Sequence, residues 1–266
     1  MDVASERTLV ERVDGLVVVT LNRPHKKNAL NSANWHDLEA IFTDVERDPG
    51  DRALLLTGAE GNFSTGADLT GGGALGLTGH GLQPIVHEMR VMGGIVSRLQ
   101  KLSKPTIAAV DGYAVGVALG LVMACDLVLA SDRAKFMEVF VQRGLAVDGG
   151  ASWSLPRQVG LRRAKQMTYF GDAIDAATAC DWGLVNEVVP ADRLHETALA
   201  WGRRLASGPT TAISLIKRLL DSGLHTSFDE AVENEARAQH IAYTTEDMAE
   251  GITAFMERRD PNFKGI

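Results

Sequence analysis

Apolar positions fall into short dense runs separated by polar or glycine-rich stretches, and their spacing predicts an alternation of strands and helices. Leu16-Val17-Val18-Val19-Thr20-Leu21 is dense in β-branched residues and predicts a strand that ends at Asn22-Arg23-Pro24. Ser32 is placed to cap a helix running to about Arg47, which Pro49-Gly50 breaks. Ala53-Leu54-Leu55-Leu56-Thr57 predicts a second buried strand, ending at Gly58. Residues 71–81 hold six glycines and predict a loop. A long helix is expected from Pro84 to Lys101, then a strand at Thr106-Ile107-Ala108-Ala109-Val110. Gly112 turns the chain, Val117 to Ala124 predicts a buried helix, and Leu127-Val128-Leu129-Ala130 a fourth strand. Such alternation implies a parallel, right-handed α/β core. From Ser152 onward the pattern is mainly helical. Leu184-Val185 with Val188-Val189 suggests a short strand, and helices are expected at 191–206, 210–222, 228–242 and 246–258. The expected organisation is an α/β core over 1–190 and a helical region over 191–266, with no internal repeat and no linker.

Composition narrows the function. The chain has 266 residues, 34 of them acidic and 27 basic, for a net charge of −7. A nucleic-acid partner would need a basic face, so none is expected. The longest apolar run, between Asp111 and Asp126, is too short to span a bilayer, so no membrane partner is expected either. Met1 to Leu9 has no apolar targeting stretch, and the two cysteines, Cys125 and Cys180, suit a reducing compartment; a cytoplasmic location is expected. Neither a CxxC nor a zinc-type histidine pair occurs, so no metal is expected. Gly71 to Gly76 matches GxGxxG formally but follows no predicted strand, which argues against a dinucleotide site. Most of the histidines are read as surface or core residues. His87-Glu88, at the start of the helix after the loop, is the exception.

Two segments share a design. The strand at 53–57 leads into Gly61-Asn62-Phe63-Ser64-Thr65-Gly66-Ala67-Asp68-Leu69. The strand at 106–110 leads into Asp111-Gly112-Tyr113-Ala114-Val115-Gly116-Val117. Glycine turns with small neighbours can aim backbone N–H groups at a ligand, and a helix N-terminus adds positive potential. Two converging N–H groups would make an oxyanion hole; the plainer alternative is a pair of tight turns joining strands.

These segments resemble the crotonase (enoyl-CoA hydratase/isomerase) superfamily. Asn22-Arg23-Pro24 with Asn28-Ala29-Leu30, Phe63 to Leu69, and Lys104 to Ala114 continuing through Cys125-Asp126 look like its successive signatures. Gly183-Leu184-Val185, Glu250-Gly251 and Ala254-Phe255 match later positions. The resemblance implies a spiral of ββα units with a helical C-terminal trimerisation region, assembled as a homotrimer or a hexamer. It implies an acyl-CoA substrate, with coenzyme A entering as part of the thioester and no separate cofactor. The hole donors would be the N–H groups of Ala67 and Val117, the latter where the family usually has glycine. CoA contacts would come from Lys26, Lys27, Ala29, Thr65, Asp68 and Leu69. Phe255 and Arg258 would reach CoA from a neighbouring subunit. Arg23, His25, Lys26 and Lys27 form a basic cluster suited to phosphates. The loop at 71–81 would cover the acyl pocket, to which Phe140, Gly120 and Tyr113 would contribute.

The chain departs from the family at the proton-transfer positions. Hydratases of the family use two glutamates, and those positions fall on Gly120 and Phe140, neither of which can move a proton. Glu138, two residues away, is expected to be a surface carboxylate. Asp148, in Gly144-Leu145-Ala146-Val147-Asp148-Gly149-Gly150, occupies a place where several CoA isomerases of the family carry an aspartate. The combination looks most like the 1,2-epoxyphenylacetyl-CoA isomerase branch. One carboxylate suits an isomerase, which removes a proton at one carbon and returns it at another. Burial beside Phe140 would raise its proton affinity; the structural alternative is a cap for the helix near Ser152. Three other readings remain: a hydratase with a displaced acid such as Glu88 or Glu138, a hydrolytic dehalogenase, and a non-catalytic acyl-CoA carrier. Phe140 and Gly93 stand where the dehalogenases have tryptophan and histidine, which weighs against that reading.

Overall fold

A computed structural model describes residues 5–70 and 82–266. The expected loop at 71–81, its role as a cover and the formal Gly71–Gly76 match lie outside the described residues. In chain order the first half runs β1 (Thr8–Val13), β2 (Leu16–Leu21), α1 (Ser32–Arg47), β3 (Ala53–Gly58), α2 (Leu82–Gln100), β4 (Thr106–Val110), β5 (Tyr113–Val115), α3 (Val117–Ala124), β6 (Leu127–Ser131) and β7 (Lys135–Met137). The second half runs α4 (Ala151–Val159), α5 (Leu161–Phe170), β8 (Ile174–Asp175), α6 (Ala176–Asp181), β9 (Glu187–Val189), α7 (Leu194–Ala206), α8 (Thr210–Gly223), α9 (Phe228–Ala242) and α10 (Glu246–Glu257).

Six strands form one sheet in the order β1-β2-β3-β4-β6-β9. Every neighbouring pair from β2 to β9 is parallel, as the alternation implied. The edge strand β1 is antiparallel to β2. It is absent from the sequence reading because Thr-Leu-Val-Glu-Arg-Val faces solvent along much of its length. Its two-residue turn places Asp14 and Gly15 at positive φ, the geometry of a tight hairpin. Both faces of the sheet are covered, which accounts for its continuous apolar runs. Val17, Val19, Leu54 and Leu56 pack with residues of α1, α2 and α3. Leu16, Val18, Leu55, Ile107 and Leu129 pack with Leu194 and Ala198 of α7. The first helix of the region expected at 191–266 is therefore a layer of the sheet.

Helix α1 is capped by Asn31, not Ser32. The Asn31 side chain accepts from the Asn34 N–H, and the Asn34 side chain accepts from the Asn31 N–H. The strand expected near 184–189 is confined to Glu187–Val189. A second sheet, β5-β7-β8, stands apart from the first and carries the chain from the turn at 112–116 to the segment that reaches Asp148.

Candidate active site

Residues 63–68 run between two neighbouring segments. On one side the N–H groups of Phe63 and Ser64 donate to the carbonyls of Asp111 (2.7 Å) and Tyr113 (2.8 Å), and Val115 N–H donates to Ser64 (3.1 Å). On the other, Leu30 N–H donates to the Gly66 carbonyl and Asp68 N–H to the Leu30 carbonyl, both at 2.8 Å. Successive N–H groups of extended chain point in opposite directions. Ala67 N–H therefore faces away from Leu30, and it has no acceptor among the described residues.

The second turn supplies a matching donor. Gly116 N–H donates to the Met137 carbonyl at 2.8 Å, and Gly116 sits at φ 56° and ψ −127°, backbone that a side chain would strain. Val117 then opens α3, and its N–H is one of the donors that a helix start leaves without an intrahelical partner. Valine is compatible with this place: its φ is not in the left-handed range, and its side chain packs beside Gly149. Ala67 and Val117 line one cavity of about 390 Å³. Its wall is otherwise largely apolar, with Leu69, Ile85, Met89, Met92, Phe140 and Val147. Arg143 and Asp148 are the charged residues on it among those described.

Asp148 is held by its backbone, whose carbonyl accepts from Ala151 N–H at 3.0 Å. Its side chain does not cap α4: Gly150 is the cap residue and no side chain serves that helix end. Instead, the carboxyl belongs to the cavity wall, and its Oδ1 is enclosed without a hydrogen-bond partner among the described residues. Burial pushes its pKa up to about 6. Gly120 explains how this segment comes so close to α3. A Cβ at Gly120 would lie 2.6 Å from the Gly149 carbonyl oxygen, so the backbone next to Asp148 occupies the space a side chain would need. Phe140 extends over Gly116, its ring 3.4 Å from where a Cβ there would stand. Gly120 and Tyr113, expected in the acyl pocket, are not among the residues lining it.

Glu138 corrects the sequence reading. It is fully buried, not a surface carboxylate, and neither oxygen has a hydrogen-bond partner among the described residues. Burial, and next the charge of Asp148, push its pKa up to about 9. The available signal was a single carboxylate inside the apolar run Phe136-Met137-Glu138-Val139-Phe140-Val141.

Most of the expected CoA contacts form one patch. Lys26 Nζ donates to Thr70 Oγ1 at 2.9 Å, and Lys27 Nζ lies 5.5 Å from the centre of the Tyr113 ring. Thr65 N–H donates to the Lys27 carbonyl, and both Thr65 and Leu69 line the cavity. Asp68 is a strut. Its carboxylate pairs with Arg23 (2.8 Å) and accepts from the Thr70 hydroxyl (2.7 Å) and N–H (3.0 Å), and these bonds pull its pKa down to about 2. Arg23 also donates to the carbonyl of the buried Ala29, so it leaves the basic cluster to brace the loop. Phe255 and Arg258 lie at the exposed end of α10, not among the cavity-lining residues. His87 and Glu88 line a neighbouring cavity of about 270 Å³, which shares Ala67 and Met92 with the first. Among the described residues, no helix is long and apolar enough to cross a membrane, and no three of His, Cys, Asp and Glu gather as metal ligands.

Residues 11–266 match the enoyl-CoA hydratase/isomerase family. The chain is similar to the 1,2-epoxyphenylacetyl-CoA isomerase of Escherichia coli K12, 36% identical over 94% of this chain and 95% of that one. It is equally similar to the crotonyl-CoA hydratase of Syntrophomonas wolfei, 36% identical over 98% of both chains. Among solved structures, an enoyl-CoA hydratase from Bacillus anthracis superposes with a TM-score of 0.91 at 30% identity, covering 98% of this chain and 100% of that one.

Proposed function

The chain belongs to the enoyl-CoA hydratase/isomerase family, with its crotonase fold, and we propose that within it the protein is an enoyl-CoA isomerase whose proton shuttle is Asp148. The observation that carries this reading is the cavity wall. Among the described residues, the two unpartnered N–H groups share it with a single carboxyl, that of Asp148. The acyl-CoA thioester would place its carbonyl oxygen on the Ala67 and Val117 N–H groups. The Asp148 carboxylate would take a proton from C2 of a 3-enoyl thioester. Electrons then move through C2, C3 and C4, and the negative charge gathers on the thioester oxygen. The hole donors bind that oxygen more strongly as the charge develops, which lowers the barrier. Asp148, now protonated, returns the proton at C4, and the double bond has moved to C2–C3. A carboxyl with a pKa of about 6 is mostly ionised at neutral pH yet basic enough for the first step.

The apolar wall supports isomerisation over hydration. Among the described lining residues, Phe140, Met89, Met92 and Val147 carry no group that could activate a water, and Asp148 is the single carboxyl. Glu138 is not among the lining residues, and Glu88 lines the neighbouring cavity. Assembly as a homotrimer or dimer of trimers fits the apolar side chains left exposed on the C-terminal helices, among them Leu220, Phe228, Phe255 and Met256. The test offers purified protein a 3-enoyl-CoA and crotonyl-CoA in parallel. Conversion of the first with little hydration of the second is expected; rapid hydration of crotonyl-CoA with no shift of the 3-enoyl double bond would overturn the reading.

A further inference from the structure

Glu138 has no part in the reaction above, yet its setting is the least ordinary in the molecule. It precedes the turn Val139–Arg143, is fully buried, and has two carboxyl oxygens without a hydrogen-bond partner among the described residues. Buried carboxyls normally have partners, and one without any asks for an explanation beyond packing. The second carboxyl of the cluster is Asp148, whose enclosed Oδ1 also lacks a partner. Other charged groups stand on the elements around the turn: Arg143 on the turn itself, Arg162, Arg163 and Lys165 on α5, Lys135 on β7, Asp175 on β8 and Asp181 on α6. Of all these groups, only Asp148 acts electrostatically on Glu138. Among the described residues no cation acts on the buried Glu138, and the one charge that does is a second carboxylate, so ionising both is disfavoured and the pair holds one proton. Asp148 opens on the cavity and Glu138 does not, which places the proton on Glu138.

We propose that Glu138 is a positioning residue for Asp148 that works only as a neutral acid. This inference rests on the isomerase reading for its consequence in turnover, but not for the protonation state itself. Val139, Phe140, Arg143, Leu145, Ala146, Val147 and Asp148, the chain immediately after Glu138, form much of the cavity wall. While protonated, Glu138 underlies that segment and leaves Asp148 as the single negative charge there. Once ionised, it needs water or a donor that the closed fold does not offer, and the wall must open to provide one. Activity is then lost at alkaline pH through movement of the wall, while the acid limb, set by Asp148, stays where it is.

Glu138→Gln separates the two roles, because glutamine keeps the shape and cannot ionise. The expected result is kcat within about twofold of wild type at neutral pH, the same acid limb, and an alkaline limb in kcat/KM that is present in wild type and absent in the variant. An alkaline limb identical in both proteins would overturn the proposal. A loss of kcat beyond about tenfold at neutral pH with KM unchanged would do so too, since Glu138 would then itself transfer a proton. Infrared difference titration supplies a readout free of turnover and of the variant's folding. Wild type at mildly alkaline pH should retain a protonated-carboxyl band that persists in Asp148→Asn, and a fully ionised wild type would refute the idea. A protein that shows the band but moves no double bond would refute the isomerase reading and leave the state of Glu138 standing.

Discussion

Burial of Glu138 without a partner makes a quantitative prediction about stability. Its pKa is 4.5 as an ordinary glutamate, the state of the unfolded chain, and burial pushes it up to about 9 in the fold. A raised carboxyl contributes fully below about pH 4.5, where both states are protonated. Its contribution is lost as pH rises, because the unfolded chain ionises and the folded one does not. At about 1.4 kcal/mol per pH unit, the loss approaches about 6 kcal/mol by pH 9, of which about 4 kcal/mol falls between pH 5 and pH 8. Glu138→Gln removes this dependence. The amide is itself buried without a partner, which costs about 1–3 kcal/mol, but that cost does not change with pH. The two proteins should therefore differ in slope more than in level, with the variant gaining on wild type steadily from pH 5 to pH 8. Urea unfolding followed by tryptophan fluorescence, at one protein concentration across that range, reads the difference directly. Parallel curves for the two proteins would refute the reasoning, since Glu138 would then be ionised in the folded state or paired with a group that compensates it.

Other perturbations probe the rest of the site. Val117→Pro deletes one hole donor at the first position of α3, where proline is tolerated. It should lower kcat about 10²–10³-fold with thermal stability nearly kept, as steady-state kinetics and a melting curve would show. Gly120→Ala places a methyl group 2.6 Å from the Gly149 carbonyl. The backbone must shift at a cost of about 1–3 kcal/mol, outweighing the roughly 1 kcal/mol gain in helix propensity, so urea unfolding should show net loss and kcat should fall as Asp148 moves. The double variant Lys26→Ala, Lys27→Ala should raise KM for acyl-CoA with kcat nearly unchanged, and its KM should depend less on salt than that of wild type.

The sequence pattern located what local chemistry controls. β2, β3 and β4 lie where dense apolar runs end close to glycine or proline, α3 opens directly after Gly116, and the turns at Gly66 and Gly116 follow from glycines placed between a strand and the next element. The hidden features depend on contacts distant in the chain. β5, β7 and β8 are two or three residues long and gain stability only by pairing with one another, so no periodicity announces them. Glu138 looks like a surface residue in sequence, yet the fold buries it completely at the start of the turn at 139–143. Asp68, a CoA contact by family resemblance, and Arg23, a member of the basic cluster by its charge, instead face each other across the loop and hold it in shape. That Gly120 and Phe140 offer no carboxylate is plain from the residues alone. The structural counterpart, the filling of the Gly120 position by the chain that carries Asp148, is not.

The claim that Asp148 moves the proton is tested most directly by the pH dependence of 3-enoyl-CoA isomerisation in wild type and Asp148→Asn. The account predicts a wild-type rate that rises through an apparent pKa near 6 as the carboxylate forms, and a variant slower by at least about 10²-fold with no such limb. Equal rates in the two proteins, or the same limb in both, would contradict it.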